Sequence, residues 1–179
     1  MRDWNLVVTV REGAFVHACR YLEQFGEVRK SGFYNVLLLR AEDSLVALDT
    51  IHGQIRLIPE IPTWIARFMP VTRTFTFQSP AVFEERAREA VAEWLPRLAG
   101  SSFHLRMHRR GFKGRLSSMD EERFLDEFLL ERLIAAGNPG SITFHDPDWI
   151  IALETVGTEA GLSLWGRDDL VRFSLLHLD

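Results

Sequence analysis

Hydrophobic and polar positions change period several times along the chain, and each change marks an element. In residues 4–10, Leu6, Val8 and Val10 alternate with Val7 and Thr9, which predicts a strand. Over residues 14–25 the apolar positions Phe15, Ala18, Cys19, Leu22 and Phe25 recur at helical spacing, and Gly26 closes the helix. Residues 27–30 and 33–40 read as two strands around Ser31-Gly32. A short helix is expected over residues 44–51. Pro59, Pro62 and Pro70 break regular structure in residues 55–70, whose apolar company predicts an ordered connection. Residues 71–77, with Phe75 and Phe77 on one face, complete a β-α-β-β-α-β order. That order matches a ferredoxin-like sandwich, with helices on one face of an antiparallel sheet.

The second half begins with Ser79-Pro80, an N-cap followed by proline at the first helical position. Phe83, Ala87, Ala90, Val91, Trp94, Leu95 and Leu98 form one apolar stripe, and Pro96 should bend or break its last turn. Residues 102–108 switch to period two. Phe103, Leu105 and Met107 take one face, and His104, Arg106 and His108 the other, which is expected to be presented outward. A glycine-punctuated loop follows through Arg115. Ser118-Met119-Asp120-Glu121 reads as a capping box, and Asp120, Glu121 and Glu122 suit the positive end of a helix dipole. That helix ends at Gly137-Asn138-Pro139-Gly140. Strands are expected at 141–145, 149–154, 162–165 and, last, 171–177. There is no internal repeat and no low-complexity tract.

Composition changes the picture little. A hydrophobic fraction of 46%, with 13 Phe and 5 Trp, is enough for a folded core. The apolar runs are far shorter than the ~20 residues of a membrane span, and residues 1–10 lack the features of a signal peptide. A cytoplasmic protein without membrane contact is expected. Cys19 is the single cysteine, so no intrachain disulfide and no cysteine-based zinc site can form.

Charge changes it more. The chain is acidic, with 21 Lys and Arg against 25 Asp and Glu. Yet Arg106, Arg109, Arg110, Lys113 and Arg115 crowd into ten residues, inside an acid-free window from Trp94 to Met119. A basic cluster in an acidic chain points to a polyanion. Gly111 and Gly114 permit a tight turn and close backbone approach to phosphate. Three acids at the start of the next helix would repel phosphate there, so it is expected in the loop 109–115. The candidate RNA-binding residues are Arg106, His108, Arg109, Arg110, Lys113 and Arg115.

Other chemistries fit less well. GFKGRLSS places its lysine between the glycines, so it is not a nucleotide-binding phosphate loop. No glycine-rich strand-turn-helix for a dinucleotide or methyl donor is present, and no cofactor is expected. His104 and His108 lie four residues apart on one strand, ~13 Å, too far for one metal. His145-Asp146-Pro147-Asp148 could do acid–base work, with His108 as a further member, which would make a small RNA-processing enzyme. Asp-Pro is also ordinary turn chemistry. A basic module that meets an acidic protein is the other alternative.

At HRRGFKGRLSS, with the helix EERFLDEFLLERL and the strand pair ITFHDPDWIIALETVG, the sequence resembles a THUMP domain. The resemblance covers roughly residues 76–170, including the preceding helix SPAVFEERAREAVAEWLPRLAG. THUMP domains are RNA-binding modules attached to tRNA thiouridine synthases, RNA methyltransferases and pseudouridine synthases. Standalone THUMP proteins include an adaptor for tRNA acetylation. The resemblance implies a ferredoxin-like domain over residues 1–75 and a THUMP domain over 76–179, together an α+β protein. It also implies docking of the tRNA acceptor stem and 3′ end, with Arg106, Arg109, Arg110, Lys113 and Arg115 on the RNA backbone. With no catalytic domain read in the chain, the expectation is a non-catalytic protein that presents tRNA or other structured RNA to a partner enzyme.

Overall fold

Strand β1 (Leu6–Val10) lies inside a four-stranded sheet, with Leu6, Val7 and Val8 without exposed surface. In a computed structural model, which describes residues 3–178, it is followed by α1 (Phe15–Leu22), a short 3-10 turn, β2 (Gly26–Lys30) and β3 (Val36–Ala41). Then come α2 (Ser44–Gln54), α3 (Ile61–Trp64) and β4 (Ile65–Pro70). The strands are ordered β2-β3-β1-β4, and every neighbouring pair is antiparallel. Gly26 is required where β2 begins. Its φ is +151°, and a Cβ there would lie 2.0 Å from the Arg40 carbonyl oxygen. The Asp43 carboxylate caps α2 by accepting the N–H groups of Leu45 and Val46.

The expected strand over 71–77 resolves into a different arrangement. The first sheet is closed by β4, within the stretch read as a connection, and β5 (Arg73–Thr76) pairs in the second sheet. Two features hid β4. Pro62 stands shortly before it and Pro70 is its last residue, which an edge strand tolerates. Arg67 interrupts its apolar run, although the side chain is buried and donates to the His177 carbonyl.

The second sheet has the order β5-β9-β8-β6-β7. Its elements are β5, α4 (Pro80–Ala92), α5 (Leu95–Leu98), β6 (Ser102–His108), α6 (Ser118–Ala135), β7 (Ser141–Ile142), β8 (Trp149–Val156) and β9 (Glu159–Gly166). Strand β6 is parallel to both neighbours, while β8 with β9 and β5 with β9 are antiparallel. Phe83 and Leu98 from the helical stripe, Leu125 and Leu129 of α6, and Phe103, Leu105, Ile151 and Leu162 of the sheet share one core. Ser79 caps α4, and the helical stripe breaks at Glu93 and Trp94, with Pro96 in the first turn of α5 just beyond. The cap of α6 is Ser117 rather than Ser118: its hydroxyl accepts the Asp120 N–H at 3.3 Å.

The expected terminal strand is instead α7 (Arg167–Arg172) followed by turns. Asp168 and Asp169 favour a helix start, and the Asp169 carboxylate accepts the Gly166 N–H at 2.9 Å. The chain divides into two units, one running to Thr72 and completed by Leu170–His177, the other holding Arg73–Asp169. An expected boundary at 75/76 falls inside β5. Among the described residues no helix is long and apolar enough to cross a membrane.

Candidate nucleic-acid interface

The basic segment begins on β6, between β8 on one side and the two-residue β7 on the other. Phe103, Leu105 and Met107 enter the core as their alternation predicts. The opposite face is not open. His104 is 2% exposed, its ring lies 5.4 Å from that of Phe144, and its Nδ1 sits 3.1 Å from the Leu105 carbonyl oxygen. The expectation that His104 is presented outward is therefore corrected. Arg106 and His108 are half-buried.

Register with β8 places His108 opposite Glu154. The Glu154 side chain is fully buried, and it accepts a hydrogen bond from Arg110 Nη1 at 2.6 Å. His108 Nδ1 lies 3.7 Å from its other oxygen. Two of the six predicted RNA-binding residues thus converge on one buried carboxylate. Arg110 is tied down further through its backbone: its N–H donates to Thr155 Oγ1 at 3.0 Å, and its carbonyl accepts the Gly157 N–H at 2.9 Å. Sequence reasoning missed Glu154. The available signal was an acid inside the apolar strand WIIALETV, with basic residues elsewhere to pair it.

Beyond Arg110 the chain turns sharply. Gly111, Phe112 and Gly114 all have positive φ, 95°, 52° and 78°. Only the middle one is strained by a side chain, and packing holds it there. The Phe112 ring lies 4.9 Å from that of Phe77 in the core. Its carbonyl accepts the N–H groups of both Arg115 and Leu116. Arg109 bridges the turn by donating to the Gly111 carbonyl. At the tip Lys113 and Arg115 are exposed, and the Arg115 guanidinium stacks over Phe112, 4.9 Å from its centroid. The structure thus sorts the six residues. Lys113 and Arg115 are presented, Arg106 and Arg109 are partly so, and His108 and Arg110 face Glu154.

The acids that follow are not simply solvated at the start of α6. Glu122 accepts the Met107 N–H at 2.9 Å, and Asp126 accepts the Leu105 N–H at 3.0 Å. These bonds satisfy an edge of β6 that β7 leaves uncovered. Glu121 is 5% exposed and hydrogen-bonded to Glu84; burial, then the Glu84 carboxylate, pushes its carboxyl up to about 7. Burial likewise pushes Asp126 up to about 7 against the opposing pull of its bond from Leu105.

The cluster His145-Asp146-Pro147-Asp148 is built as a turn. Asp146 has φ 50°, and Arg167 donates to both its carboxylate and its carbonyl at 2.8 Å. The Asp148 carboxylate accepts the Ser102 N–H, and the Asp148 N–H donates in turn to the Ser102 hydroxyl oxygen, each at 2.9 Å. Those Ser102 bonds first, and Arg167 after them, hold the Asp148 carboxyl below its ordinary range. A carboxylate so held is a poor proton donor near neutrality.

No family model matches this chain, and no curated protein matches it in sequence. Solved structures do. PH1313 from Pyrococcus horikoshii aligns with a TM-score of 0.58 at 12% identity, over 90% of this chain and 55% of that one. TrmN from Thermus thermophilus aligns at 0.58 and 20% identity, over 90% of this chain and 44% of its own. A 4-thiouridine synthetase, solved with RNA and bound ATP, aligns at 0.54 and 15% identity, over 92% and 42%. This chain therefore spans about half the length of the structures it matches, and at such identities the likeness is one of fold. Three further matches are named as methylases or methyltransferases, one of them complexed with SAH. The expectation that the protein is not an enzyme is corrected by this set: its α+β fold is one that a synthetase and several methylases contain.

Proposed function

We propose that this chain is the RNA-binding part of an RNA-modifying activity, that it holds structured RNA, tRNA above all, and that it does so through the loop 109–115. The observation that carries the reading is the construction of that loop. Phe112, packed against the core, and the Arg110–Glu154 ion pair fix its base, so Lys113 and Arg115 project from a firm support. Preorganised cations bind a phosphate backbone without losing much side-chain freedom. Arg106 and Arg109 extend the same basic track toward β6.

The THUMP reading of residues 76–179 belongs to this proposal, as does the ferredoxin-like reading of residues 1–75. The βαββαβ order and the strand order β2-β3-β1-β4 support the latter. The RNA complex of the matched synthetase supports RNA as the ligand. On this reading the acceptor stem and 3′ end are what the loop engages. The experiment is a titration of labelled tRNA with purified protein, set against an RNA duplex and a DNA duplex of equal length. Preference for tRNA supports the reading, and equal binding of all three rejects it.

A further inference from the structure

Strand β7 covers only Ser102 and Phe103 of β6. Past that point the lane beside β6 holds no strand among the described residues; instead a cavity of about 240 Å³ opens there. Asp126, Glu122 and Ile142 line it, with Phe144 and Met119 as apolar walls and Arg123 and Glu127 beside them. Phe144 and Met119 are 72% and 68% exposed and open toward an incoming group. Asp126, by contrast, is 5% exposed, and its one hydrogen bond among the described residues is to Oδ1.

The chemistry on offer is one-sided. Both edge N–H groups, of Leu105 and Met107, are already taken by Asp126 and Glu122. What remains for an incoming group is carboxylate oxygen, on three acids against the single cation Arg123, together with an aromatic face. An anion or a phosphate backbone would be repelled. A group with several donors and a positive charge meets acceptors and a ring together. The volume lies below the ~300 Å³ at which ordinary small-molecule pockets begin, which suits a short chain with one charged head.

We propose that this cavity binds an organic cation: an ammonium or guanidinium group on a short alkyl stem. The site is separate from the loop 109–115, so it stands or falls independently of RNA binding. Two sources share the chemistry, a free amine and the arginine side chain of a protein.

The test follows the Met119 methyl signal by NMR while agmatine, a blocked Gly-Arg-Gly peptide or neutral n-butylurea is added. The titrations are run near pH 8, because burial pushes the Asp126 carboxyl up to about 7. Agmatine or the peptide should shift the signal saturably, and which of them binds tighter identifies the source; n-butylurea should not shift it. Asp126→Asn keeps an acceptor for Leu105 and should weaken binding about tenfold. Glu127→Gln, at the exposed rim and clear of β6, should weaken it about threefold with the fold untouched. The proposal is overturned if neither cation shifts Met119 at about 10 mM, a concentration that detects even weak complexes. It is equally overturned if n-butylurea binds as well as the cations, or if both variants bind like the parent.

Discussion

Arg110 and Glu154 form an ion pair of 2.6 Å between a loop side chain 14% exposed and a strand side chain with no exposure. The pair joins the base of the basic loop to the middle of β8. Removing one partner strands the other in a site that water reaches poorly. Glu154→Gln should therefore lower stability by about 3 kcal/mol, read from urea unfolding. It should also weaken tRNA binding although Glu154 is too deep to touch RNA. Unchanged stability would mean that the pair does not hold the loop.

Phe112 supplies the loop's second anchor. Phe112→Ala removes the contact with Phe77 and the surface on which Arg115 rests. The expected loss is about 2 kcal/mol, below the ~3–5 kcal/mol of a fully buried aromatic because the ring is only partly buried. Affinity for tRNA should drop about tenfold as Arg115 loses its support. Phe112→Leu keeps apolar packing and should recover most of the stability but less of the affinity. Thermal melts paired with binding titrations separate the two effects.

Glu121 and Asp126 make stability depend on pH in a defined direction. Each carboxyl is pushed up to about 7 in the folded chain, so the folded state binds these protons more tightly than the unfolded state. Their contribution is fully present below the ordinary carboxylate range and is lost as pH rises through about 7. Urea midpoints should accordingly fall between pH 5 and pH 8. Glu121→Gln, which imitates the protonated form, should gain about 1–2 kcal/mol at pH 8 and almost nothing at pH 5. A parent protein with flat midpoints across that range would contradict the assignment.

Much of this arrangement is legible in the sequence because the period of the apolar residues is strong. The helices α4 and α6 and the strand β6 announce themselves by stripe, cap and alternation. Elsewhere the local pattern competes with tertiary context. Alternation along β6 separates two faces but cannot say whether the second is covered, and in a strand with parallel neighbours it usually is. His104 is buried for that reason. Prolines and Arg67 disguised β4, and Val171 and Phe173 suggested a strand where the acids at 168 and 169 start a helix. The basic loop was visible as charge and glycine. The carboxylate that organises its base was not, because the pairing of β6 with β8 is a long-range fact.

The salt dependence of binding gives a count of the contacts. If Arg106, Arg109, Lys113 and Arg115 each neutralise one phosphate, log affinity should fall against log salt with a slope of roughly −3 to −4. Arg110→Gln should leave that slope nearly unchanged while it lowers stability, since its guanidinium is spent on Glu154. A slope near zero would remove phosphate contact from the account.

The tRNA affinity of the double variant Lys113→Glu, Arg115→Glu decides whether the loop 109–115 is the RNA-binding surface. Both side chains are exposed, so folding should be preserved, which circular dichroism and melting temperature verify. A loss of at least about a hundredfold is expected, from two cations removed and two anions placed against phosphate. A folded double variant that binds tRNA within about threefold of the parent would contradict it, and would place the RNA on another surface.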